Sequence, residues 1–396
     1  MSVLNDLETL RALDPSNMYN TIFDLPEQMA KAQKMASGWN VPAAEFPDIR
    51  NVVVVGMGGS AIGGDLARTY LADEMLVPFT VCRNYQLPEF VDDETLVIAS
   101  SYSGNTEETL AAVDDALDRK AMIACITSGG LLEEVARLNE IPMLVVPGGL
   151  QPRAAIGFSF VPLMMFLEKV GLVKDVQSRL KTAIAALQSW RDRMVEDQPD
   201  SANPAKQLAQ LLSGKIPIIY GGPTLTDVVA MRWKTQICEN SKGMAFCNVY
   251  PEFNHNEICG WGKLSMDQRD GLIVINLRSG DDHDRIAARM DAVKRVVEEQ
   301  DVMVIDLWAA GESRLERMLN LIQMGDFVSY YLAILNQTDP TPVVAIENLK
   351  KELASEGEDA ASEGDEEILE DEELSGEEAE PEAETEADAE EEEPKE

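Results

Sequence analysis

The chain has 396 residues, 45% of them hydrophobic and 26% charged, and a formal net charge of −38. That length suggests two or three domains, and so acidic a chain is a poor partner for nucleic acid. No run approaches the ~18 consecutive apolar residues of a membrane-spanning helix, the first residues lack the basic and apolar regions of a secretory signal, and five cysteines without a C-x-x-C pair fit reduced thiols in a cytoplasmic protein.

The charge is unevenly spread. Residues 352–396 hold 24 acidic and one basic residue, so this segment carries −23 and residues 1–351 carry −15. With almost no large apolar side chains the segment cannot offset the entropy cost of folding. It is expected to be a disordered tail that aids solubility, with no partner identified.

Residues 1–40 form a leading helical segment, from about Val3 to Gly38, expected to lie across the first sheet. The first domain, 41–196, begins with the apolar strand Asn51–Val55. Gly56-Met-Gly-Gly-Ser60 follows it and opens a helix to about Leu71. Further strands are expected at Phe79–Cys82, Leu96–Ala99, Met122–Ile126 and Met143–Val146, with helices at Thr106–Arg119 and Leu131–Leu138. Apolar helices at Gly157–Gly171 and Val176–Arg193 lead to a linker, Asp197–Pro204. The second domain, 205–351, repeats the scheme with strands at Ile216–Tyr220, Leu272–Asn276 and Val302–Asp306 and a helix ending at Glu239. Apolar runs alternating with helices predict two tandem doubly wound parallel-sheet domains of α/β class.

Two loops of the first domain carry the chemistry. Gly56-Met-Gly58-Gly59-Ser60-Ala61 satisfies G-x-G-x-x-A, the pattern of a dinucleotide-binding turn. The next strand ends in Arg83 rather than an acidic residue, so an NADP-binding oxidoreductase is one reading. The second loop, Ser101-Tyr-Ser-Gly-Asn-Thr106, follows another buried strand and also enters a helix. Ligands in such sheets sit beyond the carboxyl ends of the strands, where helix N-termini offer free amides to an anion. Gly58, Gly59, Ser60, Ser101, Ser103 and Thr106 therefore form a candidate cup for a terminal phosphate. The second domain has Asn276-Leu-Arg-Ser-Gly-Asp-Asp282 at the corresponding place, where two aspartates would repel a phosphate.

The strings GMGGSAIGGD, SSYSGNTEET and ITSGG (126–130) resemble the sugar isomerase (SIS) domain. With GLQPRAAIG (149–157), PEFNHNEICGW (251–261) and TPVVAIENLKKEL (341–353), the chain closely resembles the bifunctional phosphoglucose/phosphomannose isomerase family, over roughly residues 40 to 353. The resemblance implies tandem SIS (flavodoxin-like) domains and an aldose–ketose isomerase acting on sugar phosphates through a cis-enediol. It makes Glu239 the base that moves a proton between C1 and C2. Read alone, Glu239 is a carboxylate at a helix end. His255, one of two histidines, becomes the residue that moves a proton during ring opening. In related isomerases this histidine reaches the neighbouring subunit's site, which implies a homodimer. Glu257 could orient it.

Arg153 is suited to stabilise a developing enediolate, because a guanidinium stays charged and carries several donors. Lys350, with Lys351 adjacent, matches the family's ring-opening lysine. No cofactor is expected, and no His/Cys/Asp/Glu cluster has metal-ligand spacing. A non-catalytic phosphosugar-binding SIS protein is the alternative from another class. It would need the cup but not Glu239, His255, Arg153 and Lys350 together.

Overall fold

The structure, a computed structural model, describes residues 2–353. The acidic segment expected to be disordered lies outside them, except for 352 and 353, which are helical together with 344–351. The chain divides after Thr341. The short second unit contains that helix, which bears Lys350 and Lys351.

Three helices open the larger unit: α1 (Leu7–Leu13), α2 (Met18–Phe23) and α3 (Leu25–Gly38). Asp6 starts α1 by accepting from the Glu8 and Thr9 amides, as an N-cap carboxylate does. The first domain follows as β1 (Asn51–Val55), α4 (Gly58–Tyr70), β2 (Phe79–Cys82), β3 (Thr95–Ser101), α5 (Glu107–Asp118), β4 (Met122–Thr127), α6 (Gly130–Leu138) and β5 (Met143–Val145). Its sheet is parallel, in the order β2-β1-β3-β4-β5. Every residue of β3 is buried, and β1 is a valine run buried from Val52 onward. Continuous apolar strands of this kind suit a sheet covered on both faces.

The apolar helix α7 (Ile156–Lys169) is buried from Ile156 to Leu167 and is followed by α8 (Val176–Arg191). The leading segment packs chiefly on helices rather than across the first sheet as expected. Thus α3 lies on α7 and α8, and Trp39 just beyond α3 stacks at 5.0 Å from Phe166 of α7. Apolar faces of helices are buried where another apolar face is available, and α7 offers one on all sides.

The stretch read as a linker ends by starting a helix, α9 (Pro204–Leu212). Asn203 accepts from the Ala205 and Lys206 amides, and Pro204 occupies the first turn, where its missing N–H costs nothing. The second domain continues with β6 (Ile216–Gly221), α10 (Thr226–Ser241), β7 (Phe246–Val249), α11 (Met266–Asp270), β8 (Leu272–Arg278), α12 (Asp284–Glu298), β9 (Val304–Trp308) and α13 (Arg314–Leu335). Its parallel sheet runs β7-β6-β8-β9. The edge strand β7, only four residues long and with none of them buried, has too weak a pattern to stand out in the sequence. The helix α13 is long and apolar enough to cross a membrane by length and composition, but 89% of that window is buried inside the protein. It is the second domain's core helix. Gly325 lets the Trp233 ring of α10 lie directly on its backbone, where a Cβ would meet Trp233 Nε1 at 2.4 Å, and Trp233 donates to the Leu321 carbonyl at 2.8 Å.

In each sheet the strand order reverses between two neighbours, β1 and β3 in the first and β6 and β8 in the second. The crevice beyond such a reversal is where ligands bind in open parallel sheets. In the first domain, the loop after β3 at this crevice also locks onto the next one, after β4. Gly104 has φ +72, and a Cβ there would meet the Gly129 carbonyl oxygen at 1.7 Å. Gly104→Ala is therefore expected to cost at least about 2 kcal/mol, read as a lowered thermal midpoint with the far-UV spectrum retained.

Candidate active site

The first-domain crevice is walled by the starts of α4 and α5. Neither helix is capped by its own side chain: Met57 and Thr106, the cap residues, make no capping hydrogen bond. The Ser60 and Thr109 amides turn back to the Met57 and Thr106 carbonyls at 3.0 and 3.1 Å, so it is the amides ahead of them that face the crevice without a side-chain cap, at the end of the helix that carries partial positive charge. Ser60 Oγ accepts from the Tyr102 amide at 3.1 Å, tying the two loops together. Ser101 Oγ and Thr106 Oγ1 pair at 2.9 Å, and Ser101 also accepts from the Gly104 amide at 3.1 Å. Ser103 is exposed and accepts from Asn105 N at 3.3 Å. Accepting from amides leaves the Ser60 and Ser103 hydroxyl protons available as donors.

Not every polar residue of the second loop serves the cup. Asn105 Oδ1 accepts from Leu131 N at 3.0 Å in the first turn of α6. Tyr102 Oη donates to the Pro147 carbonyl at 2.8 Å and accepts from Leu150 N at 3.2 Å, holding the segment that leads to Arg153. Gly58 has φ +49 and open space where a Cβ would point. Gly59 also has a packing task. A Cβ there would meet the Pro152 carbonyl oxygen at 2.4 Å and Arg153 N at 2.9 Å, so the glycine lets the start of α4 rest on the turn carrying Arg153.

Arg153 lies on a single 3-10 turn, Pro152–Ala154, with only 3% of its side chain exposed. Its Nε donates to Asn240 Oδ1 at 2.6 Å, and Nη2 donates to the Pro340 and Thr341 carbonyls at 2.7 and 2.8 Å. Nη1 reaches Glu239 Oε2 at 3.3 Å. Four of the five guanidinium N–H groups thus have protein acceptors. Burial pulls the Arg153 pKa down, against the Glu239 charge. The structure therefore brings together two residues that stand 86 positions apart in the chain. Glu239 is partly exposed, at 29% of its side chain.

The last turn of α10 is pinned on several sides. Asn240 Nδ2 donates to Ser329 Oγ at 2.9 Å and Ser241 Oγ to the Ser329 carbonyl at 2.8 Å, both on α13. Beneath them Arg232 donates to both carboxylate oxygens of Asp326, at 2.9 and 2.8 Å, and to the Arg153 carbonyl at 3.1 Å. The roles of Asn240, Arg232 and Asp326 were not legible in the sequence, since nothing in their spacing marks them. Asn240 is the nearest to visible, as the next residue after Glu239.

Two other expected residues, His255 and Glu257, make no hydrogen bond to this cluster among the described residues. His255 is exposed, on the turn Glu252–His255, and no hydrogen bond or ion pair among the described residues joins it to Arg153 or Glu239. Glu257 does not orient it. Its carboxylate accepts from the Tyr220 hydroxyl and, at 2.6 Å, from Asn248 Nδ2. Lys350 belongs to the second unit. Arg83, the residue that would have met a 2′-phosphate, pairs with Asp65.

The second domain's equivalent turn starts at Ser279, because Asn276 to Arg278 still belong to β8. Its aspartates do more than repel an anion. Asp281 is held by Arg317 at 2.7 and 2.8 Å. The Asp282 carboxylate accepts from the Ser279 amide at 2.9 Å and lies so close to Gly222 that a Cβ there would meet it at 2.7 Å. A carboxylate of the chain itself fills this cup.

The chain is similar to known proteins over both domains. Residues 45–143 match the SIS domain family, and residues 201–353 match the family described as bacterial phospho-glucose isomerase C-terminal SIS domain. Among solved structures, the C-terminal domain of glucosamine-fructose-6-phosphate aminotransferase from Francisella tularensis shares the fold, with a TM-score of 0.65 at 16% identity over 82% of this chain and 98% of that one. Among curated relatives, the bifunctional phosphoglucose/phosphomannose isomerase of Aquifex aeolicus is 37% identical over 80% of this chain and 94% of its own length. That of Caldicellulosiruptor bescii is 46% identical over 85% of this chain and 99% of its own length. With both SIS matches in tandem and similarity running the full length of that relative, the chain belongs to the bifunctional phosphoglucose/phosphomannose isomerase family.

Proposed function

We propose that the protein interconverts glucose-6-phosphate, and also mannose-6-phosphate, with fructose-6-phosphate through a cis-enediolate and without a metal ion. The observation that carries this reading is the buried Arg153 guanidinium, bonded to Glu239 on one side and resting its turn on Gly59 of the anion cup on the other. An anion-binding wall and a carboxylate with its own counter-charge thus share one turn of chain. The names of the C. bescii and A. aeolicus relatives support the same substrates.

In this mechanism the amides at the starts of α4 and α5, with the Ser60, Ser103 and Thr106 hydroxyls, anchor the phosphate. Glu239 Oε2 is steadied by Arg153, and Oε1 has no protein donor among the described residues. Oε1 takes the C2 proton of the open-chain aldose. The C2–H electrons form the C1=C2 bond, and negative charge moves to the former carbonyl oxygen. The Arg153 charge lowers the energy of that anion. Glu239 then returns its proton to C1, the C2 carbonyl forms, and the O2 proton passes to O1. Because C2 is planar in the enediolate, the glucose and mannose epimers converge on one intermediate. Ring opening falls to Lys350 and to a His255 supplied by the partner of a homodimer, in keeping with its exposed position and with the lack of a hydrogen bond to Glu239 among the described residues.

Glu239→Gln is expected to lower kcat at least about 1000-fold while sugar-phosphate binding persists, since it removes the group that moves the proton. Wild-type turnover should be unchanged by EDTA, and the C1 proton of fructose-6-phosphate should exchange with solvent by NMR. Retained binding with no exchange in the wild type would instead identify a phosphosugar-binding protein. Ser103→Ala combined with Thr106→Ala should raise KM at least about tenfold, the loss expected for hydrogen bonds to a charged group. An unchanged KM would place the phosphate elsewhere.

The shared site has its own test. Glu239→Gln and His255→Ala chains, each inactive alone, should regain about one quarter of wild-type turnover when refolded together in equal amounts. Half the dimers are then mixed, and each of these carries one intact site. No recovery would mean that His255 acts within its own chain or not at all.

A further inference from the structure

We propose that Lys242 is a positioning residue for the isomerisation: its ammonium ties the last turn of α10, which carries Glu239, to the Pro340 carbonyl that Arg153 also holds, and turnover requires it to be protonated. This rests on reading Glu239 as the base.

Lys242 closes α10 in the left-handed conformation, φ +53, which folds its side chain back over the helix end. Nζ donates to the Glu239 carbonyl at 2.6 Å, to the Asn240 carbonyl at 3.4 Å and to the Pro340 carbonyl at 3.1 Å. An ammonium has three protons and no lone pair, so three acceptors use it fully, whereas a neutral amine can serve only two. A cation at this end also complements the helix dipole. Pro340 receives Arg153 Nη2 on the same oxygen, so the arginine and the lysine share one carbonyl. The lysine thus holds the backbone of Glu239 while the arginine holds its carboxylate.

The residue as a whole is exposed, but its ammonium is enclosed by carbonyls. That partial desolvation, with the Arg153 charge on the neighbouring 3-10 turn, pulls its pKa down to about 8. Asp339, on the segment after α13, and Glu239, on its own helix, oppose the shift. The sign matters for what is measured. The folded-state pKa lies below the ordinary 10.5, so the unfolded chain binds the proton more tightly. This group's contribution to stability therefore rises with pH across that window. Lost turnover over the same range is then positional and not unfolding.

The test measures kcat and KM for fructose-6-phosphate from about pH 6.5 to 9.5, with thermal midpoints at each pH, in the full-length wild type, Lys242→Arg and Lys242→Met. The wild-type kcat should fall along an alkaline limb centred near about 8. Lys242→Arg should keep kcat within about threefold at neutral pH and lose the limb, because a guanidinium stays charged. Lys242→Met should lower kcat about tenfold or more with KM within about threefold. A wild-type limb persisting in Lys242→Arg, or a wild-type kcat in Lys242→Met, would overturn the proposal. Glu239→Gln run alongside separates the two ideas. Full activity in that variant defeats the base assignment itself, whatever the Lys242 variants do.

Discussion

The structure depends most on a single buried guanidinium. Arg153 binds the end of α10 through Asn240 and Glu239 and the end of the large unit through Pro340 and Thr341. Its backbone carries the contact with Gly59 at the start of α4. Enclosing a charge this far from water is costly unless its donors are met, and here four acceptors meet them. Those acceptors come from segments widely separated in the chain, so the arginine is satisfied only when both domains are assembled. The requirement for satisfaction makes the joint specific as well as strong.

A second buried charge supports the first. The Arg232–Asp326 pair between α10 and α13 is nearly inaccessible, at 2% and 6% exposure, and its guanidinium also holds the Arg153 carbonyl. Replacing such a pair by apolar groups often leaves stability unchanged. Its value here is geometric, because it sets where the Arg153 turn sits relative to α10. The result is a layered arrangement from Asp326 through Arg232 and Arg153 to Glu239.

The two domains use one architecture for different ends. Both place a loop on each side of a strand-order reversal. In the first domain the helix starts are left uncapped by side chains, and the crevice is ready for an anion. In the second, Asp282 occupies the equivalent place and Arg317 neutralises Asp281. The second domain instead contributes the carboxyl end of α10, with Glu239. The duplicated fold thus differs between its halves: in one the helix starts lack side-chain caps, and in the other the chain's own carboxylate fills the turn.

The sequence by itself determined the class, two parallel-sheet domains, because continuous apolar runs such as Val52–Val55 and Leu96–Ala99 call for cover on both faces. It also marked a candidate anion cup, where glycine, serine and threonine gather at two strand-to-helix turns. Its errors were local ones. The Asn203-Pro204 pair reads as a linker and also as a helix start, and only packing chooses between them. The polar string after β3 reads as one site, while its Tyr102 and Asn105 hold neighbouring segments. Glu257 stands near His255 in the chain but turns to Tyr220 and Asn248. What only the tertiary structure decided is pairing across distance: Arg153 with Glu239, Arg232 with Asp326, Lys242 with Pro340. Periodicity and turn chemistry are written in neighbouring residues, whereas the partner of a buried charge depends on which surfaces meet when the helices pack.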